Sequence, residues 1–399
     1  MRSEFQGIIL LLAAAFGGTA AATVLGPSPS GGTRAAEHAR PLVIDGRDPS
    51  ITAATVAGPQ FYPPELFQGF EDYHNPRLRR LRETYKLDDV VAGETDEFRR
   101  LLRLRHWVFS RWPINNNQTF DGDVFAILEK AKTGAGFYCT HSMKVQHAVL
   151  TAMGYVSRNL GVDRNHEDFG RSVHHGVNEV WSNTFAKWVL TDAKYDVHYE
   201  RNGVPLSALE IHTAVRTDGA RGVRKVQGIE RKEIPMENPE TPEASVREYW
   251  WVSYYMQQNS FSQPHWSGNN RLPILDDAGF RETTWYRGTD TGLVKHWAYR
   301  ANAFLPTRNP RDLDWTPGVV QLRARQVSPT ELTLQLSSAT PNLRDYRIRS
   351  GGAEWRSLTG AEFRWRLSRG TNTLEMRTRN LFGVEGPIVT ATVQVNGKL

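Results

Sequence analysis

Apolar residues recur at helical spacing over much of the first half of the chain. Between Phe98 and Trp112 they fall on one face of a helix, and Pro113 ends the pattern. Gly134 breaks a short second helix, and Gly154 closes a longer third one. The pattern therefore predicts helical segments within 64–112, at 123–132 and at 139–153.

Strand-like alternation follows these helices directly. Each of the segments 155–160, 173–181 and 187–195 is rich in β-branched and aromatic residues, which is typical of strands. The last two are separated by 182–186, a turn of hairpin length. Helices followed by antiparallel strands predict an α+β fold.

The chain changes character again beyond Pro317. Short runs of alternating apolar and polar residues are separated there by turn residues, which predicts a β-sandwich over 315–399. The preceding segment, 201–314, is rich in Trp and Tyr and is interpreted as an extension of the α+β core. Within it, the Glu-, Lys- and Pro-containing stretch 227–246 is predicted to be an exposed loop.

The first 25 residues are predicted to be an export signal. Arg2 gives a weakly positive start, an apolar stretch begins at Gly7, and Ala20, Ala21 and Ala22 offer a cleavage site of small residues. Because the apolar stretch is nearly long enough to cross a bilayer, an uncleaved N-terminal anchor is the alternative. Either possibility predicts export to the periplasm, the cell surface or the extracellular space.

The segments after the signal complete the predicted domain organisation. Residues 26–58 are rich in Gly, Pro, Ser and Ala, which is typical of a flexible linker. A helical lead-in and the α+β core then occupy 59–200, before the extension and the sandwich.

Composition and charge narrow the classes of function. Hydrophobic residues make up 39% of the 399 residues, as in an ordinary globular protein. The formal net charge of +6 is spread along the chain without a dense run of Lys and Arg, which argues against a nucleic-acid partner. No segment beyond the N-terminal stretch is apolar enough to span a membrane, so we expect no membrane contact apart from a possible anchor.

Cys139 is the single cysteine, and it opens the third predicted helix behind the turn at Gly136. In an exported protein a lone cysteine cannot pair within the chain, so its presence calls for a reason. One interpretation is a small buried hydrophobic residue. The other is a nucleophile, because the positive end of a helix dipole lowers the pKa of a thiol.

Two downstream strands carry side chains that would activate such a thiol. His175 lies on one predicted strand and Asp192 on the next, so that an imidazole could take the thiol proton while a carboxylate orients the imidazole. Asp196 is the nearest competitor for the role of Asp192. His174 is expected to point to the opposite face from His175, because side chains alternate along a strand. Glu179 shares the face of His175 and is a weaker candidate, either structural or lining the cleft.

These segments resemble the motifs of the transglutaminase-like superfamily. The resemblance covers roughly 95–200, and it consists of the glycine turn and helix around Cys139, the strand beginning His175-Gly176, and the strand ending at Asp192. This chain departs from the family pattern at Val177, where an aromatic residue is frequent, and at Ala193, where proline is frequent. The resemblance implies a papain-like core, in which a helix bearing Cys packs on an antiparallel sheet bearing His and Asp, and it implies acyl-transfer chemistry.

The expected reaction is attack of Cys139 on an amide carbonyl of a protein or peptide, followed by resolution of the thioester. The backbone N–H of Cys139 would stabilise the oxyanion, with the Gln118 side chain as a weaker second candidate. Water or an amine could accept the acyl group, and hydrolysis is favoured because water is always present. No compact ligand spacing such as H-E-x-x-H occurs, so we expect no metal and no other cofactor.

A different class of function remains open on the sequence alone. The Trp- and Tyr-rich residues of 249–299 could form a stacking platform for a cell-wall glycan, although such residues more often build a core. The terminal sandwich resembles fibronectin type III or immunoglobulin-like modules, which usually space or dock other domains. The alternative to an enzyme is therefore an exported, non-catalytic binding or scaffold protein that recognises glycan or peptide.

Overall fold

The computed structural model describes residues 39–60, 74–114, 117–164, 174–255, 272–275, 304–340, 343–358 and 360–396. The predicted signal and most of 249–299, the candidate glycan platform, lie outside these ranges. Within them the fold is mixed α+β. None of the described helices is long and apolar enough to cross a membrane. The helices are α1 (Pro76–Thr84), α2 (Leu87–Val90), α3 (Glu97–Phe109), α4 (Val124–Ala131), α5 (Cys139–Ala152) and α6 (Ala208–Asp218).

Twenty-two strands lie within the described ranges. The first eight are β1 (Arg40–Pro41), β2 (Ile44–Asp45), β3 (Ile51–Ala57), β4 (Asn117–Gln118), β5 (Gly136–Phe137), β6 (Ser157–Asp163), β7 (His174–Ser182) and β8 (Lys187–Thr191). The next seven are β9 (Val197–Arg201), β10 (Val204–Pro205), β11 (Val223–Gln227), β12 (Lys232–Ile234), β13 (Trp251–Tyr255), β14 (Leu272–Leu275) and β15 (Phe304–Thr307). The last seven are β16 (Gln321–Ser328), β17 (Glu331–Ser337), β18 (Leu343–Ser350), β19 (Arg356–Leu358), β20 (Glu362–Arg366), β21 (Gly370–Asn380) and β22 (Val389–Val395).

A six-stranded sheet forms the centre of the α+β part, with the strand order β15-β14-β13-β6-β7-β8. Helices α1–α5 bury one face of this sheet, and their apolar cluster includes Val180 of β7 and Val189 of β8. Helix α6 and strand β9 contribute to the cluster on the other face, which includes Val177 and Trp181. The alternation of side chains along β7 therefore fills two separate cores.

The predicted helices begin and end close to where the pattern placed them. The Asp96 carboxylate accepts a hydrogen bond from the Arg99 N–H at 2.8 Å and caps α3, and Asp123 caps α4 in the same way through the Ala126 N–H at 2.9 Å. Helix α5 is buried along almost its whole length, because sheet, helices and loops surround it. Its burial fixes the direction in which its first turn points.

Two further sheets enclose a third apolar cluster. Their strand orders are β1-β3-β22-β21-β18-β19 and β2-β16-β17-β20. The N-terminal strands thus belong to the same cluster as the C-terminal ones, and the predicted flexible linker is wrong over residues 40–57. Strand β3 pairs antiparallel with β22 and buries Ile51, Ala54 and Val56. The small residues that suggested a linker alternate with β-branched ones, which suits a strand in a sheet.

The segment 227–246, predicted to be an exposed loop, is exposed only in part, because it contains strand β12 and several buried residues. The buried Lys225 ammonium donates hydrogen bonds to Met236 O at 2.6 Å, Thr241 Oγ1 at 2.9 Å and Ala244 O at 2.7 Å. The Lys225 cation thereby helps to hold this segment against β11, because a buried ammonium needs all three of its donors satisfied. We refer to residues 236–245 as the Lys225-anchored loop.

The C-terminal sheets contact the α+β part at the end of α5. Gly154 has φ of +86°, and a Cβ atom there would lie 2.4 Å from Phe382 Cβ, so only glycine fits. The Asn380 amide donates to Gly154 O at 2.8 Å. A cleft of about 1160 Å³ lies beside this contact and is lined by residues of both parts, including Tyr155 and Val384.

Candidate active site

Cys139 is the first residue of α5, and its side chain is buried. The preceding strand β5 pairs in parallel with β4, so that Gln118 lies opposite Phe137, two residues before the cysteine. Tyr138 occupies the N-cap position in an extended conformation and makes no side-chain capping bond. The first N–H groups of a helix have no partner within the helix, so the thiol sits where partial positive charge is concentrated.

Strands β7 and β8 bring His175 and Asp192 together. Asn178 pairs with Thr191, which places Asp192, the next residue, diagonal to His175 across the two strands. The His175 Nε2–H donates to Asp192 Oδ2 at 2.9 Å, and both side chains are almost fully buried. The Lys194 backbone N–H donates to the other oxygen, Oδ1, at 2.9 Å, so the carboxylate is held at both ends.

The first turn of α5 lies directly over β7. A Cβ atom on Gly176 would lie 3.3 Å from Met143 Sδ and 3.6 Å from the Thr140 backbone nitrogen, so the glycine allows the close approach. The buried Asn178 amide donates to Met143 O at 3.1 Å and to Asn159 Oδ1 at 2.7 Å. These contacts fix the first turn of α5 over β7, and the Cys139 sulfur lies within 4.8 Å of a ring nitrogen of His175.

A second amide fixes the same helix over β8. Gln146 donates through Nε2 to Thr191 Oγ1 at 2.7 Å, and its Oε1 accepts from the Ala193 N–H at 3.1 Å. Thr191 and Ala193, the two residues that Gln146 contacts, flank Asp192 in the chain. The position of the carboxylate is therefore set by the same helix that carries the thiol.

The electrostatics of the group favour a thiolate beside an imidazolium. Burial alone raises the pKa of the Cys139 thiol, but the hydrogen bond and positive charge of His175 outweigh it, and the net direction is downward. Burial alone lowers the pKa of His175, yet the Asp192 charge and hydrogen bond and the contact with Cys139 raise it well above its ordinary value. Each group thus stabilises the charged form of the other.

Glu243 is a member of the site that sequence reasoning missed. Its Oε2 lies 3.5 Å from His175 Nδ1 and accepts a hydrogen bond from Tyr195 OH at 3.0 Å, and the side chain is 19% exposed. Cys139, His175 and Glu243 each place one potential ligand atom within 4.8 Å of the other two. Glu243 lies in the Lys225-anchored loop, where no local motif marks it, and contacts with distant residues such as Lys225 and Tyr195 bring it here.

We expect Glu243→Gln to lower the pKa of Cys139, because the carboxylate charge opposes formation of the thiolate. The rate of alkylation by iodoacetamide in chelator-treated protein, measured against pH by intact mass, should have its midpoint at lower pH than in the parent. Glu240→Gln makes the same charge change at an exposed position of the same loop and should leave the profile unaltered. An unchanged or raised midpoint in Glu243→Gln would contradict this assignment.

A buried lysine was also missed. Lys194 Nζ donates to Asn117 Oδ1 at 2.9 Å and to Phe137 O at 3.3 Å. It therefore connects β4 and β5 to the turn that carries Asp192. Lys194 keeps Gln118, the weaker oxyanion candidate, in the neighbourhood of Cys139 through the β4–β5 pairing.

Other candidates from the sequence occupy separate places. Of the two roles left open for Glu179, the structural one fits: its carboxylate is buried, binds Arg158 and accepts the Ala208 N–H at 2.6 Å. Asp196 binds Arg105 at 2.7 Å and His106 at 2.6 Å, so it does not compete with Asp192. His174 faces Asp163, with its Nδ1 3.1 Å from the carboxylate.

Comparisons with known proteins add little to this geometry. No family model and no curated protein matches the chain. Among solved structures, the crystal structure of red sea bream transglutaminase matches with 11% identity, covers 75% of this chain and 69% of its own, and has a TM-score of 0.24. So low a score supports no conclusion on fold or activity. The described residues themselves establish an α+β protein in which cysteine, histidine and two carboxylates meet in a buried cluster.

Proposed function

We propose that this chain is a transglutaminase-like cysteine enzyme, with a papain-like core, that transfers acyl groups from amide bonds of proteins or peptides. The observation that carries the proposal is the order of three groups: the Cys139 sulfur lies within 4.8 Å of a nitrogen of His175, and Asp192 binds the Nε2 of His175. The opposite pKa shifts of thiol and imidazole support an ion pair at neutral pH.

The proposed reaction has two steps. The Cys139 thiolate forms a bond to the amide carbonyl carbon, and the imidazolium of His175 gives its proton to the leaving nitrogen as the C–N bond breaks. An acceptor then attacks the thioester while neutral His175 takes its proton, and the thiolate leaves. Asp192 keeps the imidazole in one tautomer throughout and stabilises its charged form.

The oxyanion of each step needs donors close to the thiol. The backbone N–H of Cys139 is one donor in the proposal, and the Gln118 side chain is the second, because β4 runs beside β5. Water is the proposed acceptor in preference to an amine.

The cellular location, the substrate class and a further partner are proposed from the sequence. The apolar N-terminal stretch supports export to the periplasm, cell surface or extracellular space, and the substrate is a protein or peptide. Strands β1–β3 and β16–β22 would dock or space the enzyme, with cell-wall glycan as a further partner.

The test is formation of an acyl-enzyme on the single cysteine. Metal-free protein mixed with p-nitrophenyl acetate should release a burst of p-nitrophenol equal to the enzyme concentration and carry one acetyl group on Cys139 by intact mass and peptide mapping. Cys139→Ser should show neither. Release of ammonia or of a new α-amine from glutamine-containing peptides, against incorporation of a fluorescent amine, then separates hydrolysis from transfer.

A burst that persists in Cys139→Ser would place the chemistry on another residue. No burst and no acetyl group in the folded parent would contradict the enzyme. Retention of a peptidoglycan pull-down by Cys139→Ser, together with that absence, would favour the binding protein instead.

A further inference from the structure

Three side chains of different chemistry converge at the Nδ1 side of His175. Cys139 Sγ, a nitrogen of His175 and a Glu243 oxygen lie within 4.8 Å of one another. Nδ1 is the nitrogen concerned, because Nε2 already donates to Asp192. Nδ1 is buried and makes no hydrogen bond of ordinary geometry among the described residues, although a Glu243 oxygen lies 3.5 Å away.

These separations suit a tetrahedral zinc ion. Zinc binds thiolate at about 2.3 Å, imidazole at about 2.0–2.1 Å and carboxylate at about 2.0–2.2 Å, so its ligand atoms lie about 3.3–3.6 Å apart. The observed 3.5 Å between His175 Nδ1 and Glu243 Oε2 already falls in that range. Thiolate, imidazole and carboxylate together favour zinc over magnesium or calcium, which prefer oxygen ligands alone.

Asp192 and Tyr195 hydrogen-bond to two of these side chains, as the outer partners of metal ligands commonly do. Asp192 accepts from Nε2–H, which fixes the tautomer with Nδ1 available as a ligand, in the arrangement of carboxylate, histidine and zinc. Tyr195 OH donates to Glu243 Oε2 at 3.0 Å and orients that carboxylate. Three protein ligands leave a fourth position for water.

We propose that Cys139, His175 and Glu243 bind one Zn²⁺ ion, and that the bound ion reversibly inhibits acyl transfer. The inhibition rests on the proposed function, whereas the binding does not. Zinc would form bonds to the thiolate that must attack carbon and to the Nδ1 that must carry the proton, so neither group could react while the ion is present. Glu243 would then serve as a ligand that the acyl-transfer steps do not use.

Direct binding tests the site without any substrate. Untagged, chelator-treated full chain is titrated with Zn²⁺ by calorimetry and with Co²⁺ by absorption spectroscopy, in which a thiolate-to-cobalt charge-transfer band reports Cys139. We expect one equivalent to bind. Cys139→Ser should abolish the band, and Glu243→Gln should weaken zinc binding by at least about tenfold, because it replaces a ligand. Glu240→Gln in the same loop should bind as the parent does.

The inhibition is read from the p-nitrophenyl acetate burst. One equivalent of Zn²⁺ should suppress the burst, a chelator should restore it, and Glu243→Gln should need at least about tenfold more zinc for the same suppression. The site would be overturned if zinc did not bind stoichiometrically, or if neither Cys139→Ser nor Glu243→Gln weakened its binding. A burst that zinc increases would overturn the inhibitory role.

The two proposals fail in different ways. A metal-free parent that gives no burst yet shows the cobalt band on Cys139 would refute the enzyme and leave the metal site standing. A normal burst without a cobalt band would refute the metal site and leave the enzyme standing.

Discussion

Replacing His175 with alanine is expected to lower the alkylation rate of Cys139 at pH 6 by about 100-fold, because a thiol of ordinary pKa near 8.5 is less than about 1% thiolate there. In the parent, the hydrogen bond and charge of His175 lower the pKa of the thiol despite its burial. Turnover should fall by about 10³-fold or more, since the same imidazole transfers the proton. The measurements are intact-mass alkylation by iodoacetamide against pH and the ultraviolet absorption of the thiolate, both in chelator-treated protein.

Two variants make this result specific. Cys139→Ser supplies the blank for the thiolate absorption, because no other cysteine contributes. His74→Ala removes an exposed histidine and should reproduce the parent profile. Equal alkylation profiles in the parent and in His175→Ala would show that no ion pair forms, and Cys139 would then be a structural residue.

Replacing Arg158 with methionine is expected to destabilise the fold by about 3–5 kcal/mol, because it leaves a buried carboxylate without its cation. Arg158 Nε donates to Glu179 Oε2 at 2.7 Å, and both side chains are inaccessible to solvent. The guanidinium also donates to Leu313 O at 2.6 Å and lies 4.0 Å from the Trp188 ring centroid. The measurement is urea unfolding followed by tryptophan fluorescence.

The pH dependence separates charge from packing in this prediction. Burial already raises the pKa of Glu179, and losing Arg158 raises it further. A carboxyl group whose folded pKa is raised favours the folded state most when protonated, so the stability difference between variant and parent should narrow as pH falls below that pKa.

A double variant gives the control. Arg158→Met with Glu179→Met should recover part of the loss, because two apolar side chains replace the buried ion pair. Arg366→Met, on a side chain that is 92% exposed, should change stability by less than about 0.5 kcal/mol. A double variant less stable than the sum of the two single ones would contradict the charge argument.

Much of the local structure was predictable because it depends on local patterns. The span of α5, the hairpin of β7 and β8 and the strands of the C-terminal part follow from spacing and turn residues that lie close together in the chain. Cys139, His175 and Asp192 could be singled out for the same reason. Their mutual distances depend on strand register and on the close approach at Gly176, which no local pattern determines.

The failed predictions concern contacts between distant segments. The sequence predicts a linker at β3 because its partner, β22, lies far away in the chain. The sequence does not show that the Lys225-anchored loop is partly buried, because the buried ammonium that binds three of its oxygen atoms lies on β11. Glu243 was missed as a result, since its role follows from where that loop is held. The two roles left open for Glu179 could not be separated from the sequence, because its partners, Arg158 and the Ala208 N–H, come from other elements.

The pairing of β3 with β22 has a consequence for how the molecule is made. Val56 pairs with Ala391, and the Asn396 N–H donates to Ser50 O at 2.8 Å, so residues near both ends of the chain complete one sheet. During synthesis β3 cannot pair with β22 until β22 has left the ribosome. Pairing then closes a loop of several hundred residues, which is slow. Until then the edge of β3 that pairs with β22 is open to pairing with other chains, which favours aggregation of the incomplete protein.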